Sequence, residues 1–464
     1  MSTTGDLDDS TIEALQARVR GEVLEPGETG YDEARIVWNR MIDRYPAIIV
    51  RCRGAADVIA AVNTARENDI PLAVKSGGHN VSGSAVCDDG LVIDLSPMDA
   101  VEVDPTQNIA RVQAGATWGD IDHETQAFGL ATPGGQDPNI GVAGLTLGGG
   151  YGYLSRKYGY TCDNLLSANV VTAEGELVRP SPSQHSDLFW GLRGGGGNFG
   201  IVTSFEFQLH EVGPEVFAGS LIYSLEDAHE VTRQYQSFMA DAPREASSML
   251  GIMELPATSY YPEPLHNARV LMLITMYVGS PEDGRRVLAP LRAFGNPRFD
   301  SLQERTYTSY QQAGESQADA RTYVRSQFLE TLSEPAVDTI VEFGKDVPSS
   351  GATVFASPRN GAMTDLPTDE TAYPHRDDSH HVLIEARWSD PDRDDAHIEW
   401  IRSFHAALQP YTINNARMNF LTDDEPRERI KAAYGSNYRR LVDLKRQWDP
   451  ENLFSMNQNI DPQE

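Results

Sequence analysis

His79 is the side chain with the greatest chemical potential in this 464-residue chain, because it stands inside the stretch Val74-Lys75-Ser76-Gly77-Gly78-His79-Asn80-Val81-Ser82-Gly83. Glycines in such a stretch let backbone N–H groups close around an anion, above all a phosphate. An imidazole at the end of that cradle is held against whatever the phosphate carries. Two further glycine clusters follow. One runs from Ala131 to Tyr153 and holds Pro133, Gly134, Asp137, Ile140, Gly141, Gly144 and Gly148; the other runs from Phe189 to Thr203 and holds Gly200 and Ile201.

The elements that must position these loops are legible around them. An apolar run, Ile70 to Val74, reads as the strand that delivers the first loop. Upstream stand a strand at Ile48 to Val50 and a helix with Val58, Val62 and Ala65 on one face, stopped by Asp69-Ile70-Pro71. Strand, helix, strand and glycine loop also suggest a nicotinamide-binding Rossmann unit. That unit needs its glycine loop to open a helix directly, with an acid about 20 residues on for the ribose. Here His79 leads to Asn80, Val81, Ser82 and Gly83, then to a strand at Leu91 to Leu95, so the helix is in the wrong place.

A fourth segment completes the pattern: Tyr434-Gly435-Ser436-Asn437-Tyr438 through Trp448-Asp449-Pro450-Glu451-Asn452-Leu453-Phe454 to Asn457-Gln458-Asn459-Ile460. Taken in order, the four segments resemble the vanillyl-alcohol oxidase superfamily, and within it the berberine-bridge-enzyme-like FAD-linked oxidoreductases. The resemblance spans residues 38–464. It implies an α+β protein with an acidic lead-in (1–37), a PCMH-type two-subdomain FAD-binding domain (38–213) and a substrate-binding domain (214–415). A C-terminal segment (416–464) returns to the flavin. The residue pattern agrees: after about Glu211 the glycine clusters stop. Alternating strands follow at Gly219 to Ser224, Met249 to Leu255, Arg269 to Val278, Thr353 to Ala356 and His381 to Trp388. Helices between them, Ala228 to Ala240, Pro281 to Phe294 and Asp394 to Leu408, make an antiparallel sheet flanked by helices. Ser10 and Glu13 read as the capping residues of a short N-terminal helix that Gly21 ends.

The resemblance assigns roles residue by residue. A histidine at the position of His79 bonds the 8α-methyl of the flavin, so FAD held covalently through His79 is the expected cofactor. Lys75, Ser76, Gly77, Gly78, Asn80 and Ser84 would surround it. Pro133, Gly134, Gly141, Gly144, Gly148, Gly200, Ile201, Asn457 and Asn459 match further cofactor-contacting positions. Many relatives add a cysteine bond to flavin C6, but the matching residue here is Asp137, followed by Pro138, which implies a single link. Cys162, downstream, is either a substitute attachment or a small buried residue. Ile140 falls where relatives control oxygen access: valine there resembles oxidases and leucine dehydrogenases. Oxygen, giving hydrogen peroxide, is the expected acceptor, with a quinone or other carrier as the alternative.

Oxidation by hydride transfer also requires a base for the substrate O–H or N–H. Relatives often use the last tyrosine of a Tyr-x-Asn-Tyr motif; here the stretch is Arg417-Met418-Asn419-Phe420, and phenylalanine accepts no proton. The strand His381 to Trp388 offers replacements. Its two-residue period places His381, Leu383, Glu385 and Arg387 on one face. His381 is the first candidate base, its imidazole near the free value of about 6.5, and Glu385 the second; the alternative is that both are ordinary polar residues on a wet face. Arg417 would bind an anionic or polyhydroxylated substrate or pair with a nearby carboxylate. Tyr151 and Tyr153 line the pocket or serve packing. The implied function is oxidation of an alcohol, sugar or amine carbon of a small polar molecule; a flavin-holding relative without turnover is the rival.

Composition narrows the rest. Thirty-eight Lys and Arg against 68 Asp and Glu give a net charge of −30, which disfavours a nucleic-acid partner because phosphate binding needs clustered cations. The acids are spread out, as in Asp6 to Asp9, Asp377-Asp378, Asp390 to Asp395 and Asp423 to Glu425. An even acidic coat suits concentrated salt, where screening acts within about 3 Å at 1 M, so a halophile is the expected source. Three scattered cysteines, Cys52, Cys87 and Cys162, form no disulfide framework and no zinc motif. With no basic n-region ahead of an apolar stretch and no run approaching about 20 apolar residues, a soluble cytoplasmic protein without a metal or a membrane partner is expected. Oligomeric state is left open.

Overall fold

The computed structural model describes residues 7–314, 319–377, 379–413 and 415–464; Asp6 and Asp378 of the acidic clusters lie outside them. Its parallel core grows from continuous apolar runs. Strands Ile48–Arg51 and Leu72–Lys75 flank Leu91–Asp94 in parallel, and Glu22–Leu24 adds an antiparallel edge. Parallel strands covered on both faces are apolar throughout, and Ile48, Ile49, Val50, Leu91, Val92 and Ile93 are all fully buried. The helix Ala55–Glu67 covers one face, with Val58, Val62 and Ala65 turned inward. Because Leu72–Lys75 ends where its partners end, the His79 loop emerges at the C-terminal edge of the sheet.

A second, antiparallel sheet orders Val101–Asp104, Ile109–Gln113, Ile201–Gln208, Leu165–Val171 and Leu177–Val178. The second glycine segment runs between the two sheets. Gly134 sits against the buried ring of Trp118, where a Cβ would come within 2.3 Å of the indole.

The remaining sheet is antiparallel and orders Phe299–Asp300, Glu215–Ser224, Arg269–Tyr277, Ala246–Glu254, Ala352–Arg359, Ser379–Trp388 and Arg321–Leu329, with Gln303–Thr306 also paired to Glu215–Ser224. The fold is therefore α+β, as expected. One face of this sheet packs against helices Ala228–Asp241, Glu334–Lys345 and Asp394–Leu408 through a core that includes Val382, Ile384 and Ala386. The alternate residues Leu383, Glu385 and Arg387 open on the other side.

Three local expectations change. The N-terminal helix Asp9–Gln16 is capped by Asp8, whose carboxylate accepts from the Thr11 N–H, not by Ser10, and it ends well before Gly21. The helix from Pro281 stops at Val287 and continues as 3₁₀ turns. Strand Arg321–Leu329 was not visible in the alternation. Among the described residues no helix is long and apolar enough to cross a membrane, and all three cysteines are free and buried.

Candidate active site

The exposed face of the large sheet looks across a cavity of about 1230 Å³ at the three glycine segments. The first two segments cross in direct backbone contact. A Cβ on Gly77 would meet the Gly141 nitrogen at 2.5 Å, and one on Gly141 would meet the Gly77 nitrogen at 2.5 Å. Gly78 takes φ of +63°, a left-handed conformation that glycine adopts without a steric penalty. Ser76 fixes the loop by donating from Oγ to the Ala114 carbonyl at 2.6 Å.

His79 projects from this crossing. Its ring stacks on Trp38 with centroids 4.4 Å apart and planes 22° apart, and the Arg387 guanidinium lies 5.0 Å from the Trp38 ring. Asp137 Oδ2 stands 3.8 Å from His79 Nε2, while Asp137 Oδ1 accepts from the Asn139 N–H at 2.9 Å. Burial disfavours the imidazolium more than Asp137 favours it, and the imidazole is pushed down to about 4. At neutral pH the ring is uncharged, and its buried Nε2 has no hydrogen-bond partner. Such an orphaned atom beside a glycine crossing fits a ring bonded to a cofactor.

The other expected cofactor residues divide. Ser76, Gly77, Gly78, Asn80, Ser84, Asp137, Ile140, Gly141, Gly144, Gly148, Gly200, Ile201 and Asn457 border the cavity. Pro133, Gly134 and Asn459 lie outside that lining, although Asn457 and Asn459 each carry a buried Oδ1 without a partner. Lys75 turns away: Nζ donates to the Ala34 carbonyl at 2.6 Å and the Ile36 carbonyl at 2.9 Å, clamping the N-terminal segment to the loop. Cys162 is also off the cavity. It packs with Tyr160, Met363 and Tyr373, and burial pushes its thiol up, away from the reactive thiolate.

On the facing sheet, Glu385 borders the cavity and accepts from Arg387 Nε at 2.5 Å. His381 does not reach it. The imidazole, 1% exposed, lies behind Tyr151 and Phe420: Tyr151 Oη is 3.4 Å from Nδ1, and the Phe420 ring stacks at 5.5 Å. Burial, with Arg417, Arg359 and His375 around it, holds His381 well below the ordinary imidazole value. The expectation of an imidazole near its free value is thereby corrected; this ring stays neutral and is a weak proton acceptor.

Arg417 covers the Tyr151 ring at 4.0 Å, is 1% exposed, and leaves Nε and Nη1 without hydrogen-bond partners. Among the described residues no carboxylate pairs with it. Tyr151 and Tyr153 both line the cavity, and Tyr153 also packs on Tyr310 at 4.9 Å. Sequence reasoning missed Trp38, which lies in an irregular stretch with no periodic signal. It also missed Asn419, whose Nδ2 donates to the Gly144 carbonyl at 3.2 Å and whose Oδ1 is buried without a partner.

Two sheets present crossed glycine loops to the face of a third, an arrangement that accommodates FAD, and family comparison places the chain among FAD-binding oxidoreductases. Residues 46–181 match the model described as FAD binding domain, and residues 416–461 match Berberine and berberine like. The chain belongs to the berberine-bridge-like FAD-linked oxidoreductases. An FAD-linked oxidoreductase of Bacillus subtilis is 31% identical over 96% of this chain and 98% of its own. The (R)-6-hydroxynicotine oxidase of Paenarthrobacter nicotinovorans is 29% identical over 97% of this chain and 98% of its own. The crystal structure of 6-hydroxy-D-nicotine oxidase from Arthrobacter nicotinovorans superposes with a TM-score of 0.85 at 29% identity, covering 96% of this chain and 98% of that one. The protein is an FAD-dependent enzyme.

Proposed function

We propose that this chain is an oxidase of small organic molecules that holds FAD through a single covalent bond at His79 and passes electrons to oxygen. The carrying observation is the neutral His79 imidazole, its buried Nε2 without a hydrogen-bond partner, at the Gly77–Gly141 crossing, with Asp137 where a second, cysteine link would stand. FAD, when bound, accepts a hydride from the substrate carbon. The chain's part is to bind and orient the substrate and to take its proton.

Glu385 is the group assigned to that proton. It is the carboxylate of the facing strand that opens on the cavity, and Arg387 donates to one of its oxygens, leaving the other for a substrate proton. His381 acts behind Tyr151 as a positioning residue. Ile140 borders the same cavity, at the place assigned to oxygen access.

The test is the intact mass of acid-denatured protein. Wild type and Cys162→Ala should each carry the increment of one FAD, and His79→Ala none. Denatured wild type without flavin would remove the covalent reading; an increment lost in Cys162→Ala would move the attachment.

A further inference from the structure

Three buried guanidinium groups share the Tyr373 ring; two have strong hydrogen-bond partners, although the Arg376 Nε is itself unpartnered. Arg376 pairs with both oxygens of Asp163 at 2.7 Å, and Arg359 donates to the Tyr160 hydroxyl and the His375 carbonyl. Arg417 is different. Aromatic rings surround it, Tyr151 at 4.0 Å, Phe420 at 5.8 Å and Tyr373 at 6.0 Å, and none of them offers its charge a counter-ion. Arg417 lines the cavity, and its Nε and Nη1 are buried without hydrogen-bond partners. An unpaired buried cation is costly, and the planar N–H fork of arginine matches a carboxylate in a bidentate pair.

The cavity wall that extends from Leu383, between His381 and Glu385 on its strand, is apolar. Strand register aligns Leu383 with Phe355, Phe355 with Gly251 and Gly251 with Met272 in a row across four strands. The Phe355 ring lies over Gly251, where a Cβ would meet it at 3.0 Å. Met253, Ile274 and Tyr261 extend this platform. Sugar hydroxyls laid on such a surface would lose water without gaining partners. Methionine and aromatic side chains suit an apolar body.

Resting on the oxidase reading above, we infer that the substrate is a monocarboxylate with an aromatic or aliphatic body: its carboxylate pairs with Arg417, its body lies on Phe355 and Leu383, and the carbon near Glu385 is oxidised. That carbon loses a hydride to FAD and its O–H or N–H loses a proton to Glu385; the carboxylate is unchanged. His381, beside Arg417, and Glu385 lie four residues apart on one strand, about 13 Å at the rise of an extended chain. The substrate is therefore of medium length.

The holoenzyme is titrated with 4-phenylbutyrate, with the neutral 4-phenylbutyramide and with cellobiose, following the flavin absorbance. The acid is expected to bind wild type about 10- to 100-fold more tightly than the amide, the range of a charge-assisted hydrogen-bonded pair. Arg417→Met should abolish the difference and Arg417→Lys retain part of it. Equal binding of acid and amide to wild type would overturn the inference even if the variants failed to fold. So would a preference that survives in Arg417→Met, tighter binding of cellobiose, or no response to any ligand. Covalent flavin in the same samples, read by mass, keeps the outcomes apart. Retained FAD with no acid preference sinks the carboxylate alone; wild type without covalent FAD sinks the attachment, while tryptophan fluorescence still reads the acid–amide difference.

Discussion

Gly77 and Gly141 stand back to back, each leaving 2.5 Å where the other's backbone nitrogen would meet an added Cβ. Since neither backbone can give way cheaply, Gly77→Ala or Gly141→Ala must push the two loops apart. We expect a stability loss of about 1–3 kcal/mol, the usual range for overpacking, together with a lower ratio of visible to ultraviolet absorbance in the purified protein. Gly54→Ala is the control. Gly54 is extended, with φ of 178°, and a Cβ there meets nothing within 4 Å, so thermal melting and flavin content should both stay at wild-type levels.

Glu385→Gln keeps the shape and the contact with Arg387 but removes the proton acceptor. The expected result is a fall in kcat of about 10²- to 10⁴-fold, with flavin content unchanged. Tyr151→Phe should cost less, since it removes only the hydroxyl that meets His381. Steady-state rates on any substrate that bleaches the flavin make the comparison; near-normal turnover in Glu385→Gln would place the base elsewhere.

Asp122 gives a pH dependence of stability with a definite sign. Burial raises its carboxyl to about 7 from the ordinary 3.8, opposed by the Gln311 amide, which donates to Oδ2 at 3.0 Å. Between those values the folded chain holds a proton that the unfolded chain has released. The contribution of this group is thus fully present below the ordinary value and is lost as pH rises towards about 7. Asp122→Asn should melt above wild type at pH 8 and converge with it below the ordinary carboxyl value. A constant offset across that window would show that the group does not titrate as assigned.

Lys445 and Asp449 form a pair with no exposed side-chain surface, 2.6 Å apart. Lys445 also donates to the Asn198 and Phe454 carbonyls, and Asp449 accepts from the Leu453 and Phe454 N–H groups. The pair therefore pins the closing segment beneath the third glycine cluster. Lys445→Met leaves a buried carboxylate alone and should cost about 3–5 kcal/mol. Adding Asp449→Leu should recover part of the loss, less what the freed N–H groups cost. Denaturant titrations of the single and double variants measure both.

Much of this architecture is legible from the amino-acid order. Glycines at 77 and 141 advertise close backbone approach, Gly78 a left-handed turn and Gly148 close contact with the Asn419 side chain, and the two-residue period of Ser379–Trp388 separates Glu385 from the helix-packed core. Strand Arg321–Leu329 hides because Thr322, Arg325, Ser326 and Gln327 are all buried beside Tyr323, Val324 and Phe328, which erases the alternation. Arg325 is buried there because Asp424 and Thr422 reach it from the C-terminal segment. The burial of His381 is hidden for a similar reason. Position on a face was readable, but the rings of Tyr151, Phe328 and Phe420 that close over it come from three distant segments.

The setting of His79 has a temporal consequence. Its neighbours Trp38, Asp137 and Arg387 come from three widely separated parts of the chain, and a nascent polypeptide that has not yet delivered Arg387 lacks part of the enclosure around the imidazole. If FAD attaches at His79 as proposed, attachment would follow delivery of Arg387 to the site. Flavin colour surviving denaturation would then be a record of maturation, marking those chains that once closed completely.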